Sequence, residues 1–190
     1  MRTATLAVGA VRPEQLGEPT PCDEFVVRRL LGHLAGVLHR VAALGRGDDP
    51  MAVVDVDVPG DDWPGALAAA AHAVQAAWTD EAVLDRSMSL PWRQGTGAEL
   101  LTGYLSEITV HTWDLARATG QEPVWDEEVI AVALSDAGGL PGTGRRELFE
   151  RISGQLGLDV VAVPFGDAVP VGDDAARIDR LVAWTGRRPS

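Results

Sequence analysis

Apolar residues recur at three- and four-residue intervals over most of the chain, so the pattern reads as helix rather than strand. The strongest run covers residues 22–46. Asp23 reads as its N-cap with Pro21 just upstream, Val26, Leu30, Leu34, Val37 and Leu38 follow at helical spacing, and Gly45 closes it. A second strong helix covers 97–119, with Gly120 as the terminating residue. Weaker patterns predict a short N-terminal helix ahead of Arg12-Pro13-Glu14-Gln15, an alanine-rich helix over 65–79, and helices over 126–137 and 145–154. A last helix runs to Trp184 from an Asp173 or Asp174 cap. Residues 46–64 are loop, rich in Asp, Pro and Gly, and the Gly/Pro stretch 138–144 breaks the chain again. The alternation from Leu84 to Leu90 before Pro91 predicts a short strand or hairpin within 80–97, and 159–171 is extended and turn-rich. No internal repeat interrupts this order. The expectation is one mainly α domain over residues 1–190, a helical bundle whose loops 46–64 and 138–172 vary.

Charge narrows the partners. With 16 basic and 28 acidic residues in 190 the chain carries a net −12, and every basic residue is arginine. An acidic surface repels phosphate backbones and anionic lipid, so no nucleic acid and no membrane is expected as a partner. The single cysteine, Cys22, has no second thiol for an internal disulfide. No segment reads as a targeting signal or a span, and the expected location is cytoplasmic.

Candidate chemistry concentrates in 100–120. Leu101, Leu105, Ile108, Thr112 and Leu115 form a core-facing stripe, and Tyr104, Glu107, His111 and Asp114 form a second stripe beside it. A carboxylate and an imidazole four residues apart sit on one helix face and can reach one metal ion, although a surface Glu–His pair has the same spacing. His33 lies on the apolar face of the other strong helix with Val26, Leu30 and Val37. It reads either as a core histidine or as a third ligand brought in from a neighbouring helix. Three protein ligands would leave one coordination position open, as in catalytic zinc sites. Other features carry less. Cys22 reads as a small buried residue at the start of its helix. The run Asp55-Val56-Asp57-Val58-Pro59-Gly60 imitates a calcium loop but places proline where a ligand belongs. His39 points to another side of its helix, and His72 is an exposed residue among alanines. Asp114 and Arg117 read as an intrahelical pair or as an anion contact near the metal.

Two runs carry a family resemblance. Pro19-Thr20-Pro21-Cys22-Asp23-Glu24-Phe25-Val26-Val27-Arg28-Arg29-Leu30-Leu31-Gly32-His33-Leu34 resembles the second-helix signature of the DinB/YfiT-like metalloproteins, with Phe25 where the family usually has Trp. Glu107-Ile108-Thr109-Val110-His111-Thr112-Trp113-Asp114-Leu115-Ala116-Arg117-Ala118-Thr119-Gly120 is similar to the other signature of the mycothiol-dependent maleylpyruvate isomerase-like group. The resemblance extends to Ile178–Trp184. It implies a DinB/YfiT-like four-helix bundle with additional C-terminal helices and a short β or extended segment. It also implies a divalent metal, usually zinc, on His33, Glu107 and His111, and mixed imidazole and carboxylate ligands also accommodate nickel, iron or manganese. The implied activity is a mycothiol-dependent isomerase or S-transferase, the partners being a small thiol and an electrophilic substrate. Asp114 or Tyr104 would assist proton transfer. A metal-dependent hydrolase and a non-catalytic metal-binding sensor are the alternatives. The N-terminal helix is short for such a bundle. Either the segment 145–184 covers the gap, with Phe149, Phe165 and Trp184 as anchors, or a second subunit does; a monomer is expected ahead of a homodimer.

Overall fold

A computed structural model describes residues 1–23, 25–157 and 165–189. Its helices are α1 (Arg2–Gly9), α2 (Val27–Arg46), α3 (Trp63–Ala77), α4 (Ala82–Asp85), α5 (Gly97–Thr119), α6 (Glu127–Ala137), α7 (Arg145–Leu156) and α8 (Arg177–Trp184). Strands β1 (Ser87–Leu90) and β2 (Arg93–Thr96) form an antiparallel hairpin in the register Leu90 to Arg93, the sheet element expected within 80–97. The mainly α class is as expected. No described helix is long and apolar enough to cross a membrane.

Helix α2 lies along α3 and α5, and α1 packs on α3 and α5 to close a ring of four. Leu30, Leu34, Val37, Leu38, Leu67, Leu100 and Leu115 fill the centre of that bundle. A second apolar cluster lies on the other side of α5, where Val110 and Trp113 meet Ile130, Ala133, Leu181 and Val182 from α6 and α8. Phe165 and Trp184 pack against this cluster. The C-terminal segment thus covers α5. As a result Ile108 to Ala116 are buried without a break, whereas a two-stripe reading of the helix leaves a solvent face.

Several boundaries fall where the sequence places them. Thr96 caps α5 in a capping box with Glu99, and Gly120 ends it at φ 68°. The start of α2 differs. The helix begins at Val27, with Val26 as an extended N-cap that is 45% exposed and so outside the apolar face. Backbone carbonyls do the work expected of Asp23: Val27 N–H donates to Glu18 O and Arg28 N–H to Leu16 O. The far end also differs, because Gly45 lies inside α2 and Gly47, at φ 84°, is the left-handed cap. Gly45 is small for a packing reason: a side chain there would overlap the Trp78 indole, whose Nε1 donates to Val41 O at 2.9 Å. At α8 the N-cap is Ala176 without a side-chain bond, so neither Asp173 nor Asp174 caps it. Part of the extended segment expected over 159–171 lies outside the described residues, and 165–171 hold no helix or strand.

Candidate metal centre

His33 comes from the middle of α2, and Glu107 and His111 come from successive turns of α5. Where the two helices pack, one ligand atom from each of the three lies within 4.8 Å of the others. His33 Nε2 is 3.2 Å from Glu107 Oε1, and the two imidazole rings stand 4.9 Å apart at an interplanar angle of 83°. Adjacent ligands of a tetrahedral ion with bonds of about 2.1 Å lie roughly 3.4 Å apart, so this spacing suits a small divalent metal. A set of two imidazoles and one carboxylate is chemically suited to zinc and also to nickel, iron or manganese.

The second side of each ring is what makes the trio directional. His33 Nδ1 faces Asp55 Oδ1 at 3.1 Å, and the same oxygen accepts from Arg40 Nη2 at 2.9 Å. His111 Nδ1 faces Asp114 Oδ2 at 3.0 Å. Arg187 grips Asp114 with two bonds, Nε to Oδ1 at 3.2 Å and Nη2 to Oδ2 at 3.0 Å. A carboxylate can only accept, so in both rings Nδ1 carries the proton; His33 Nε2, facing Glu107, is protonated as well in the metal-free protein, and a metal would take that proton's place. Each of the two candidate histidines is thus backed by a His–Asp–Arg relay, the arrangement that fixes tautomer and ring angle in metal sites.

The first relay depends on two glycines. A Cβ at Gly32 would overlap the Val56 carbonyl oxygen, and one at Gly36 would come to 3.0 Å from Asp55 Cα and 3.2 Å from its Oδ1. Their absence lets the loop after α2 lie flat against the helix, held by Val56 N–H to Gly32 O at 3.1 Å. Arg40, two turns beyond His33, adds a bond from Nε to Val53 O at 3.1 Å. The second relay is long-range, since Arg187 follows α8 and is almost wholly buried with Asp114.

Electrostatics differ between the two rings when no metal is considered. Burial disfavours a charged His33, but the hydrogen bonds and charges of Asp55 and Glu107 outweigh it and carry its pKa up to about 9. Burial dominates at His111 and holds its pKa below the usual value despite Asp114. Glu107 is lowered: burial opposes its charge, and the His33 bond with the nearby imidazoles overcomes that. Asp114 is lowered too, because its bonds to His111 and Arg187 outweigh burial.

The turn ahead of α2 supplies the site's wall. Pro19 pairs with Val26, and Thr20 Oγ1 donates to Phe25 O at 2.8 Å. The Phe25 ring thereby lies 5.0 Å from His33 and 6.0 Å from His111, centre to centre. Cys22, expected to be buried, is half-buried, and its sulfur lies within 4.8 Å of a His111 nitrogen and an Asp114 oxygen.

All of the residues singled out on the second stripe of α5 meet here, in different roles. Asp114 stands behind His111 with both oxygens engaged, and the arginine it pairs with is Arg187; Arg117 instead lies over the Trp113 ring. Tyr104 is buried, and its hydroxyl has no hydrogen-bond partner among the described residues. Burial first, and then the Glu107 charge, push its pKa up to about 12. In the sequence Asp55 stands out only as part of the run that imitates a calcium loop, and Arg40 and Arg187 are not singled out. Arg40 had a signal, at two helical turns from His33, whereas nothing local marks Asp55 or Arg187 for this role.

Residues 1–116 match the family described as mycothiol maleylpyruvate isomerase N-terminal domain, a span that includes all three candidate ligands. Two uncharacterized proteins of Mycobacterium tuberculosis, from strains CDC 1551 / Oshkosh and ATCC 25618 / H37Rv, are each 30% identical over 178 residues. The match covers 93% of this chain and 87% of each relative. No solved structure matches.

Proposed function

Because the chain belongs to the mycothiol maleylpyruvate isomerase N-terminal domain family, we propose that it binds one divalent metal through His33, Glu107 and His111 and uses it with a small thiol such as mycothiol. The reaction class is an isomerase or S-transfer reaction on an electrophilic substrate. One observation carries this reading: one ligand atom each of His33, Glu107 and His111 lies within 4.8 Å of the others, while Asp55 and Asp114 accept from the two Nδ1 atoms. Zinc is the first choice of metal, and three protein ligands leave a position for a cosubstrate. A metal there supplies the positive charge that lets a thiol lose its proton near neutral pH.

The chain's own residues do the rest. Arg40 and Arg187 hold Asp55 and Asp114, and these hold the rings, so the donor set is preformed. Phe25 shields one side of both imidazoles from water. The thiolate's electron pair would form the new carbon–sulfur bond, and a proton would go to the carbon or oxygen that receives the displaced pair. Asp114, engaged on both oxygens, serves as a positioning group in this scheme. Tyr104 remains the residue on this stripe with an uncommitted proton.

The test is elemental analysis followed by cobalt substitution. About one metal per chain is expected, lost in His33→Ala and in His111→Ala. The cobalt protein should gain a sulfur-to-metal charge-transfer band with mycothiol. Normal metal content in both variants would sink the ligand assignment. A metal-replete protein blind to thiols would turn the reading toward hydrolysis or a non-catalytic metal-binding module.

A further inference from the structure

Tyr104 lies one turn before Glu107 and two turns before His111 on the same face of α5. It is only 6% exposed, and its hydroxyl is one of three side-chain polar atoms buried without a partner among the described residues. An orphaned buried donor is costly to a folded protein, and one that a native structure keeps calls for an explanation such as a catalytic role or a bound ion, water or ligand that completes the bond. The other two orphans, Trp63 Nε1 and Arg145 Nη2, belong to residues that hold other contacts. Trp63 packs in the bundle core, and Arg145 donates to the carbonyls of Pro141, Gly166 and Trp184.

We propose that the Tyr104 hydroxyl is the specificity contact of the site, donating a hydrogen bond to the thiolate sulfur that occupies the position left by His33, Glu107 and His111. This rests on the thiol-dependent reading above and deepens it by naming what distinguishes a thiolate from a neutral ligand. The geometry supports a donor role. The phenol stands on the ligand stripe, buried so that no water competes for it, and Glu107 lies one turn away. With its pKa up at about 12, the phenol keeps its proton throughout the working pH range and can only donate to an anion. In a buried setting a bond from a neutral donor to a charged acceptor is strong enough to shift ligand affinity by about tenfold or more.

The experiment uses the cobalt-substituted whole chain and Tyr104→Phe, with 2-mercaptoethanol as the thiol probe and the charge-transfer band as the readout. Three results are expected together: unchanged cobalt affinity, 2-mercaptoethanol binding weakened about tenfold or more, and a metal-free melting temperature raised by about 2–6 °C. The last follows because the substitution removes an unsatisfied donor without removing the ring. Equal thiol affinity in the two proteins would overturn the proposal while leaving the thiol-dependent reading intact. So would a lower metal-free melting temperature, since it would mean the hydroxyl already has a structural partner. A loss of cobalt in the variant would overturn it by moving Tyr104 into the structure of the metal site. Absence of any thiol band in the unaltered protein would instead remove the thiol-dependent reading, and this proposal with it.

Discussion

Gly32→Ala should disturb the site from a residue that touches neither metal nor substrate. The added methyl would overlap Val56 O, with Val56 C at 3.4 Å. Carbon–oxygen contacts settle at about 3.3–3.6 Å, so the loop must retreat by roughly 1 Å. That breaks the 3.1 Å bond from Val56 N–H to Gly32 O. It also draws the adjacent Asp55 away from His33, whose bond at 3.1 Å has little length to spare. Overall stability should change little. Alanine favours the helix by about 1 kcal/mol over glycine, and each lost hydrogen bond costs about 0.5–1.5 kcal/mol. The site should change much more. Loss of a carboxylate behind a ligating histidine weakens metal binding about 10–100-fold. Without metal, the His33 pKa should fall from about 9 by at least about one unit. Imidazole NMR titration of the metal-free protein reads the pKa, and competition with a chromophoric chelator reads the metal affinity. Gly154→Ala, at a helical glycine with nothing near its missing Cβ, is the control for helix propensity alone. A Gly32→Ala protein with His33 still titrating near 9 and metal affinity unchanged would refute the claim that these glycines seat Asp55.

The remaining expectations concern charge. His33 is raised above its unfolded value of 6.5, so its stabilisation of the metal-free protein is complete below pH 6.5 and is lost as pH rises through about 9, up to about 3 kcal/mol in all. His111 is shifted the other way, so stability is also lost as pH falls below 6.5. Urea unfolding of metal-free protein across pH should therefore show a maximum near neutrality, and a flat profile from 6.5 to 9 would contradict the His33 assignment. Arg187→Met leaves Asp114 charged, buried and short of its main counter-charge, so it should cost about 3–5 kcal/mol. A loss below about 1 kcal/mol in the same unfolding assay would show that Arg187 does not hold the second relay.

The local signals were strong enough for the sequence alone to determine much of this protein. Thr96, Glu99 and Gly120 fix both ends of α5 by backbone capping, which depends on residues within one turn. Spacing of four puts Glu107 and His111 on one face whatever surrounds them, and the two separated motifs supply the resemblance that pairs them with His33. Tertiary structure decided what depends on distant partners. The start of α2 moved from Asp23 to Val27 because carbonyls of Leu16 and Glu18, folded back from outside the helix, satisfy its first N–H groups. Gly45 stayed inside the helix because Trp78 needs the space. Asp55 became a partner of His33 only because Gly32 and Gly36 admit the loop, and Asp114 found Arg187 across 73 residues rather than Arg117 one turn away. Hydrophobic periodicity reports which face of a helix is buried, but not what buries it. The burial of α5 on every side from Ile108 to Ala116, and the orphaned hydroxyl of Tyr104, emerge only once α6 and α8 pack on the far side of the bundle.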